Sequence, residues 1–320
     1  MEWYVLTRDE MTKKEIKNME DISMYSKTFD KVMLRSDKFN KTNFLGYVVR
    51  KTGDKEKDKY NDKLVERIIY VNNVLLNNRL HEIVDYDYIK EIGQKAIIVD
   101  YYNGFLMTSA IKKEYFTPFE NWGNKFSDDD YEDEEEYRGH NKQVILKRVM
   151  RGVIRHLIFF QKDIFEKGLF HIGLNHKHIV VQKDDNIKIN GMRYIVRHID
   201  GILDDPVITK VKYYGDVINK RYSPPELVEY IKSGGKTKVN AVGIFSYQLG
   251  VLLFDIFTKG EHFFGNITDD LVNSSNLYIN EKRKDEKKEL RKLIKDLIAE
   301  DPKDRILDFD KILERVEYFT

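Results

Sequence analysis

A chain of 320 residues with 41% hydrophobic content can bury a substantial core, and its length fits two subdomains or one large domain. The 55 Lys and Arg residues balance 54 Asp and Glu residues to leave a net charge of +1, so bulk charge points to neither nucleic acid nor a membrane surface as partner. Cysteine is absent, which excludes disulfides and thiolate metal sites. No apolar run is long enough to span a bilayer, and Met1-Glu-Trp-Tyr does not open a signal peptide. The expectation is an intracellular protein, cytoplasmic or nuclear, that binds no nucleic acid and no membrane.

Residues 1–28 are polar with scattered apolar positions and read as a short helix and a lead-in. Phe29 to Leu34 reads as a strand. The segment Arg35-Ser-Asp-Lys-Phe-Asn-Lys-Thr-Asn43 that follows contains no glycine. Backbone amides approach a phosphate closely only where side chains are absent, so this loop is poorly suited to cradle one. Phe44 to Lys51 alternates as a strand, with Leu45, Tyr47, Val49 and Lys51 on one face. Taken alone, Lys51 reads equally as a solvated strand-end lysine beside Lys55 and Lys57. Asn61 and Asp62 are suited to cap a helix in which Leu64, Ile68, Val71 and Leu75 recur at helical spacing and which carries Glu66. Leu80 to Ile89 and Ala96 to Tyr102 are two further strands. Asp100-Tyr-Tyr-Asn-Gly104 reads as a connector, and Phe105 to Lys113 begins the next helix.

Residues 117–141 form a low-complexity interruption, with an acidic insertion over 127–137. Such runs repel themselves and form solvated loops. Its spacing matches no calcium-binding loop. Val144 to Lys167 is the strongest helical pattern, striped by Ile145, Val149, Val153, Leu157, Phe160 and Ile164 and stopped at Gly168. A β-branched strand, Ile179-Val-Val181, leaves the junction that follows. Asn190-Gly191 is a strong short hairpin signal, which makes Arg193 to Ile199 the returning strand. Three further helices are expected over Val239 to Phe257, Lys284 to Ala299 and Asp308 to Phe319.

Several of these segments carry ordered motifs. Gly168-Leu-Phe-His-Ile-Gly-Leu-Asn-His-Lys-His-Ile-Val-Val181 resembles the protein-kinase catalytic loop, H-R-D-L-x-x-x-N, with His171 and Leu174 in register. Val48-Val-Arg-Lys51 resembles the V-A-I-K strand. Arg221-Tyr-Ser-Pro-Pro-Glu226 resembles R-Y-x-A-P-E, and Asp301-Pro-Lys-Asp-Arg305 resembles D-P-x-x-R. The apolar helix at 239–257 resembles the family's D-V-W-S-L-G-V-x-L-x-E-L helix. The resemblance covers roughly residues 29–319 and is carried by the order of the landmarks more than by any one of them.

The resemblance implies an α+β, bilobal protein-kinase-like fold. A small strand-rich N-lobe with one main helix would span 29–102, and a larger helical C-lobe 103–320. It implies a phosphate-pairing role for Lys51, a Lys51–Glu66 pair, structural roles for His171 and Leu174, and a Glu226–Arg305 ion pair. It also implies lost chemistry. The catalytic aspartate position holds Gly173, and the metal-binding asparagine position holds His178. The aspartate that anchors the loop falls on Phe245 or Gly243. Two pairings compete for the magnesium aspartate. Ile187-Lys-Ile-Asn-Gly-Met-Arg193 set against V-K-L-T-D-F-G puts Gly191 there. A gapped pairing, favoured by the Asn190-Gly191 hairpin, puts Asp200 there as the one metal ligand.

The implied function is that of a pseudokinase, catalytically inactive, acting as a scaffold or allosteric regulator of a protein partner, an active kinase or its substrate. No cofactor is expected. The alternative is a weak binder of ATP with magnesium through Lys51, Glu66 and Asp200, or a weakly active serine/threonine-type kinase with non-standard catalytic residues. His171, His176 and His178 cluster in sequence, but a core role for His171 is preferred over a metal site.

Overall fold

The computed structural model describes residues 2–12, 16, 29–36, 43–75, 79–80, 83–100, 104–112, 115–117, 144–182, 184–205 and 218–320. The acidic insertion and most of the glycine-free segment at 35–43 lie outside the described residues. The architecture is mixed α and β, built as two units: residues 1–103 with 124–136, and residues 104–123 with 137–320. No helix among the described residues is long and apolar enough to cross a membrane.

The first unit is an antiparallel sheet of strands β1 (Trp3–Val5), β2 (Phe29–Ser36), β3 (Asn43–Val49), β4 (Ile83–Ile89) and β5 (Gln94–Asp100), in the order β1-β2-β3-β5-β4. The N-terminal residues are therefore more than a lead-in. Trp3 pairs with Ser36 in the sheet, and its ring packs edge-on to Phe44 at 5.0 Å. The sheet curls until side chains of its two edge strands meet: Trp3 Nε1 donates to Asp85 at 3.0 Å, and Lys90 pairs with Glu2 at 3.0 Å. Inside the curl, Trp3, Leu34, Phe44, Val48, Ile89, Ala96 and Ile98 form one apolar cluster.

The helix of this unit spans Lys55–Leu75 and starts six residues before the expected cap at Asn61. Asp54 caps it, accepting from the Glu56 and Lys57 amides at 3.0 and 3.1 Å. Asn61 is instead a buried residue of the helix interior whose amide reaches the Arg50 carbonyl. Leu64, Val65, Ile68, Val71 and Leu75 form the buried face, matching the expected stripe.

In the second unit, strands β6 (Gly104–Leu106), β8 (Ile179–Gln182) and β9 (Ile187–Ile189) form one small sheet. Strands β7 (Leu169–His171), β10 (Ile195–Ile199) and β11 (Ile202–Leu203) form another. Phe105 thus belongs to a strand, and the helix after it spans Met107–Lys112. The striped helix runs through Leu146–Arg148 and Arg155–Glu166, with a π-helical turn at Val149–Ile154 between them. At that turn a side chain on Gly152 would strike Asp185 Cβ at 2.8 Å. Asp185 is held there by the fork of Arg148, at 2.7 and 2.8 Å, which ties the β8–β9 turn to the helix.

Asn190 and Gly191 do not form the expected hairpin. β9 pairs with β8, whereas β10 pairs with β7 and β11, so residues 190–194 carry the chain from one sheet to the other. The hairpin turn is Asp200-Gly201, both with positive φ (49° and 78°), between Ile199 and Ile202. Asp-Gly suits such a turn as well as Asn-Gly does, and strand partners decide which is used.

Helix Ala241–Phe257 is buried over nearly its whole length. Gly250 lets it approach helix Lys284–Ile298, since a Cβ there would lie 2.6 Å from Ile298 and 2.9 Å from Leu297. Arg305 Nη1 pairs with Glu226 at 2.5 Å. The same guanidinium donates to the carbonyls of Ala299, Gly243 and Glu300 at 2.7, 3.2 and 3.3 Å. Because the Arg305 side chain is fully buried and Glu226 partly buried, Arg305→Ala leaves a carboxylate and three carbonyls without their donor. Its expected loss of stability in urea unfolding is about 3 kcal/mol.

Candidate functional site

The candidate site is built from the chain between the striped helix and β10. Gly168 closes the helix with a φ of +74°, and its amide donates to the Phe165 carbonyl at 2.9 Å. The chain then enters β7 and reaches His171, which is fully buried. The Gln161 side chain clamps its backbone from the helix. Gln161 Nε2 donates to the His171 carbonyl at 2.9 Å, and Gln161 Oε1 accepts from the His171 amide at 3.2 Å. One residue further, Gln248 on helix Ala241–Phe257 donates to the Ile172 carbonyl at 2.6 Å. Leu174 is buried as well. Packing of His171 and Leu174 therefore holds this loop together with two buried glutamines. Gln248 lies about one turn along the helix from Phe245, one of the two positions where the resemblance to kinases puts the loop's anchor.

Gly173 and Gly191 flank a single ring. A Cβ on Gly173 would lie 2.6 Å from Tyr194 Cγ, and a Cβ on Gly191 would lie 2.8 Å from Tyr194 Cδ2. Real Cβ atoms do not approach that closely, so each glycine is required by the tyrosine. Gly191 also has a φ of +88°, which favours glycine independently. Tyr194 is buried, and its carbonyl accepts from the Ile172 amide at 3.0 Å. Its ring tilts against His178 at 4.6 Å and His171 at 5.9 Å. Arg193 lies over it, 4.5 Å from the centroid, and donates to the Tyr194 hydroxyl.

The three histidines are not gathered around a point. His178 Nδ1 lies 2.6 Å from the Gly173 carbonyl and 3.1 Å from the Asn175 amide nitrogen. The rings of His171 and His178 are 6.2 Å apart and edge-on. His176 turns elsewhere. Its Nδ1 and the Thr108 hydroxyl share a hydrogen bond at 2.5 Å, and its ring stacks on Phe263 at 4.7 Å. Burial pushes His171 down to about 4. Burial, with the nearby cations Lys177, Arg221 and Lys112, pushes His176 down to about 3. Both are therefore neutral at neutral pH, and Nδ1 of His176 is already hydrogen-bonded to Thr108. Neither is a ready general base. Among the described residues no three metal-ligating side chains come together.

Asp200 is exposed at the tip of the β10–β11 hairpin, away from the ring cluster in its own sheet. The gapped pairing required Asp200 to follow a hairpin at 190–191, and that hairpin is absent. Residues 187–191 instead continue β9 straight into Gly191. In the first unit, Lys51 pairs with Asp62 at 3.1 Å, both exposed, and Glu66 one turn further is also exposed. The Lys51–Glu66 pair expected from the sequence is thus replaced by a surface pair with Asp62, because the helix starts earlier and presents a different turn to the strand end.

Arg221 and Tyr222 meet a residue that sequence reasoning passed over. Asp255 is fully buried and accepts from Arg221 Nε at 3.0 Å and from the Tyr222 hydroxyl at 2.6 Å. Arg221 also donates to the Gly265 carbonyl at 3.0 Å. Burial raises the Asp255 carboxyl, against the lowering effect of Arg221. One signal was legible: Asp255 is the single charge in an otherwise apolar helix, and a buried charge needs a partner. Gln161 and Gln248 gave the same signal, as amides on buried helical faces. Tyr194 gave none. No family model matches this sequence, and no curated protein matches it either.

Two outcomes test this geometry. Gly173→Asp drives a side chain into the Tyr194 ring, with an expected loss of about 2–3 kcal/mol. In a cycle with Tyr194→Ala the two losses should be clearly less than additive in urea unfolding. The second concerns pH. His171 titrates near 4 when folded and at about 6.5 when unfolded, so the unfolded chain takes up the proton first as pH falls. Stability present above about pH 6.5 should decline progressively towards about pH 4. His171→Gln should flatten part of that slope of the urea midpoint against pH.

Proposed function

We propose that this chain is a protein-kinase-like protein without kinase catalysis, a pseudokinase that serves as a scaffold or allosteric regulator of a protein partner. The observation that carries the reading is the Tyr194 ring lodged between Gly173 and Gly191. In the kinase frame these two positions correspond to the base that accepts the substrate proton and to the aspartate that binds magnesium. Phosphoryl transfer is mainly positioning and electrostatics, and it fails without both carboxylates. Here neither carboxylate exists, and their space is taken by an aromatic ring that would repel a hydrated metal–phosphate group. His178, in the place of the second metal ligand, is turned onto the Gly173 carbonyl.

Further support comes from what the chain keeps. The Glu226–Arg305 pair, the Arg221–Asp255–Tyr222 cluster and the clamps from Gln161 and Gln248 all stabilise structure and perform no chemistry. A fold stabilised without reactive groups is suited to binding another protein, and an active kinase or its substrate is the partner this reading names, within the cell.

Thermal shift and phosphate transfer test it. With ATP and magnesium at millimolar concentration, the melting temperature should stay within error of the ligand-free value, because a bound ligand must raise it by mass action. Labelled phosphate should not reach a generic protein substrate. A magnesium-dependent rise would favour the nucleotide-binding alternative. Transfer that disappears with His176→Ala or Asp200→Ala would overturn the proposal.

A further inference from the structure

Helix Lys284–Ile298 buries Leu290, Leu293, Ile294, Leu297 and Ile298 on one side. Its other side lines an open groove of about 650 Å³. Six cations face that groove: Lys284, Lys287, Lys288, Arg291, Lys292 and Lys295. Their spacing of three and four residues puts them on a single helical face.

The six divide into two sets. Lys287 pairs with Glu281 at 3.2 Å, and Lys295 with Asp269 at 3.1 Å. Arg291 donates to the Ser275 and Val272 carbonyls at 2.8 and 3.4 Å, closing the end of helix Asp269–Ser274. These three hold the groove wall together. Lys284, Lys288 and Lys292 are exposed and, among the described residues, have no carboxylate within 4.0 Å. The two carboxylates that line the groove are both engaged, Glu281 by Lys287 and Asp296 by Arg315. The uncompensated charge is therefore a row of three ammonium groups, four residues apart, over about 12 Å of helix.

We propose that this row is a docking surface for an acidic protein segment. Like charges one turn apart on a helix destabilise it, and a carboxylate-bearing partner relieves that repulsion along the whole row. The lining argues against nucleic acid. No aromatic side chain is among the groove residues to stack a base, and its one arginine is spent on backbone carbonyls. The surface shares no residue with the loop at 168–194, so the inference stands whether or not the chain lacks catalysis.

The test uses the full chain and a fluorescent oligoglutamate, with oligoglutamine, a short single-stranded RNA and inorganic polyphosphate as comparison probes, read by anisotropy. Oligoglutamate should bind at low salt and weaken steeply as salt screens the row. Lys288→Glu with Lys292→Glu should weaken it by about tenfold or more, with no fall in the melting temperature, and Lys288→Gln with Lys292→Gln should give an intermediate loss. Failure of oligoglutamate to bind at low salt, or equal binding by the double glutamate variant, would overturn the proposal. Tighter binding of RNA or polyphosphate than of oligoglutamate would reassign the groove to phosphates. Concentration-dependent dimerisation abolished by the same variant would reassign it to a second copy, whose residues 128–136 hold eight carboxylates in nine positions.

Discussion

One aromatic ring sets the conditions for the loop at its centre. Tyr194 sits where side chains of residues 173 and 191 would otherwise project, so both must be glycine. The same residue fixes the loop through its backbone, accepting from Ile172. Its ring also packs against His178 and Arg193. A glycine-bearing loop is conformationally permissive and costly to order, and here the ring takes over the ordering that larger side chains would provide.

Around that ring the restraints form a chain of buried polar contacts. Gln161 and Gln248 grip the loop backbone from two different helices. Asp255, on the same helix as Gln248, holds Arg221 and Tyr222. Arg305 then ties Glu226 to the end of that helix at Gly243. Each contact lies in a low-dielectric interior, where hydrogen bonds are strong and unpaired groups costly. A network of this kind favours one conformation of the segment and leaves little freedom for groups that must move during a reaction.

The histidines illustrate how burial overrides a sequence cluster. His171, His176 and His178 fall within eight residues, and titratable groups so close together suggest chemistry. Their backbone positions at a strand end and in the turn before β8 send His176 to Phe263, whereas His171 and His178 both meet Tyr194 and His171 also meets Phe160. Desolvation then lowers His171 and His176 out of the range where a histidine exchanges protons at neutral pH.

The sequence by itself determined what local patterning controls. The apolar stripes of 55–75 and 146–166 made helices because their period matches 3.6 residues, 241–257 because its apolar run is too long for a strand, and Gly168 ended one because glycine takes the left-handed turn without steric cost. The absence of a carboxylate at 173 was equally plain. Tertiary structure decided everything that depends on which segments meet. It placed Trp3 in the sheet and assigned the tight turn to Asp200-Gly201 over Asn190-Gly191. It gave Lys51 to Asp62 and lodged Tyr194 against two glycines more than seventeen residues apart in sequence. Turn propensity and charge are local and degenerate, so several partners satisfy them equally. Steric exclusion between distant residues is not encoded in any window of the chain and exists only once the fold has brought them together.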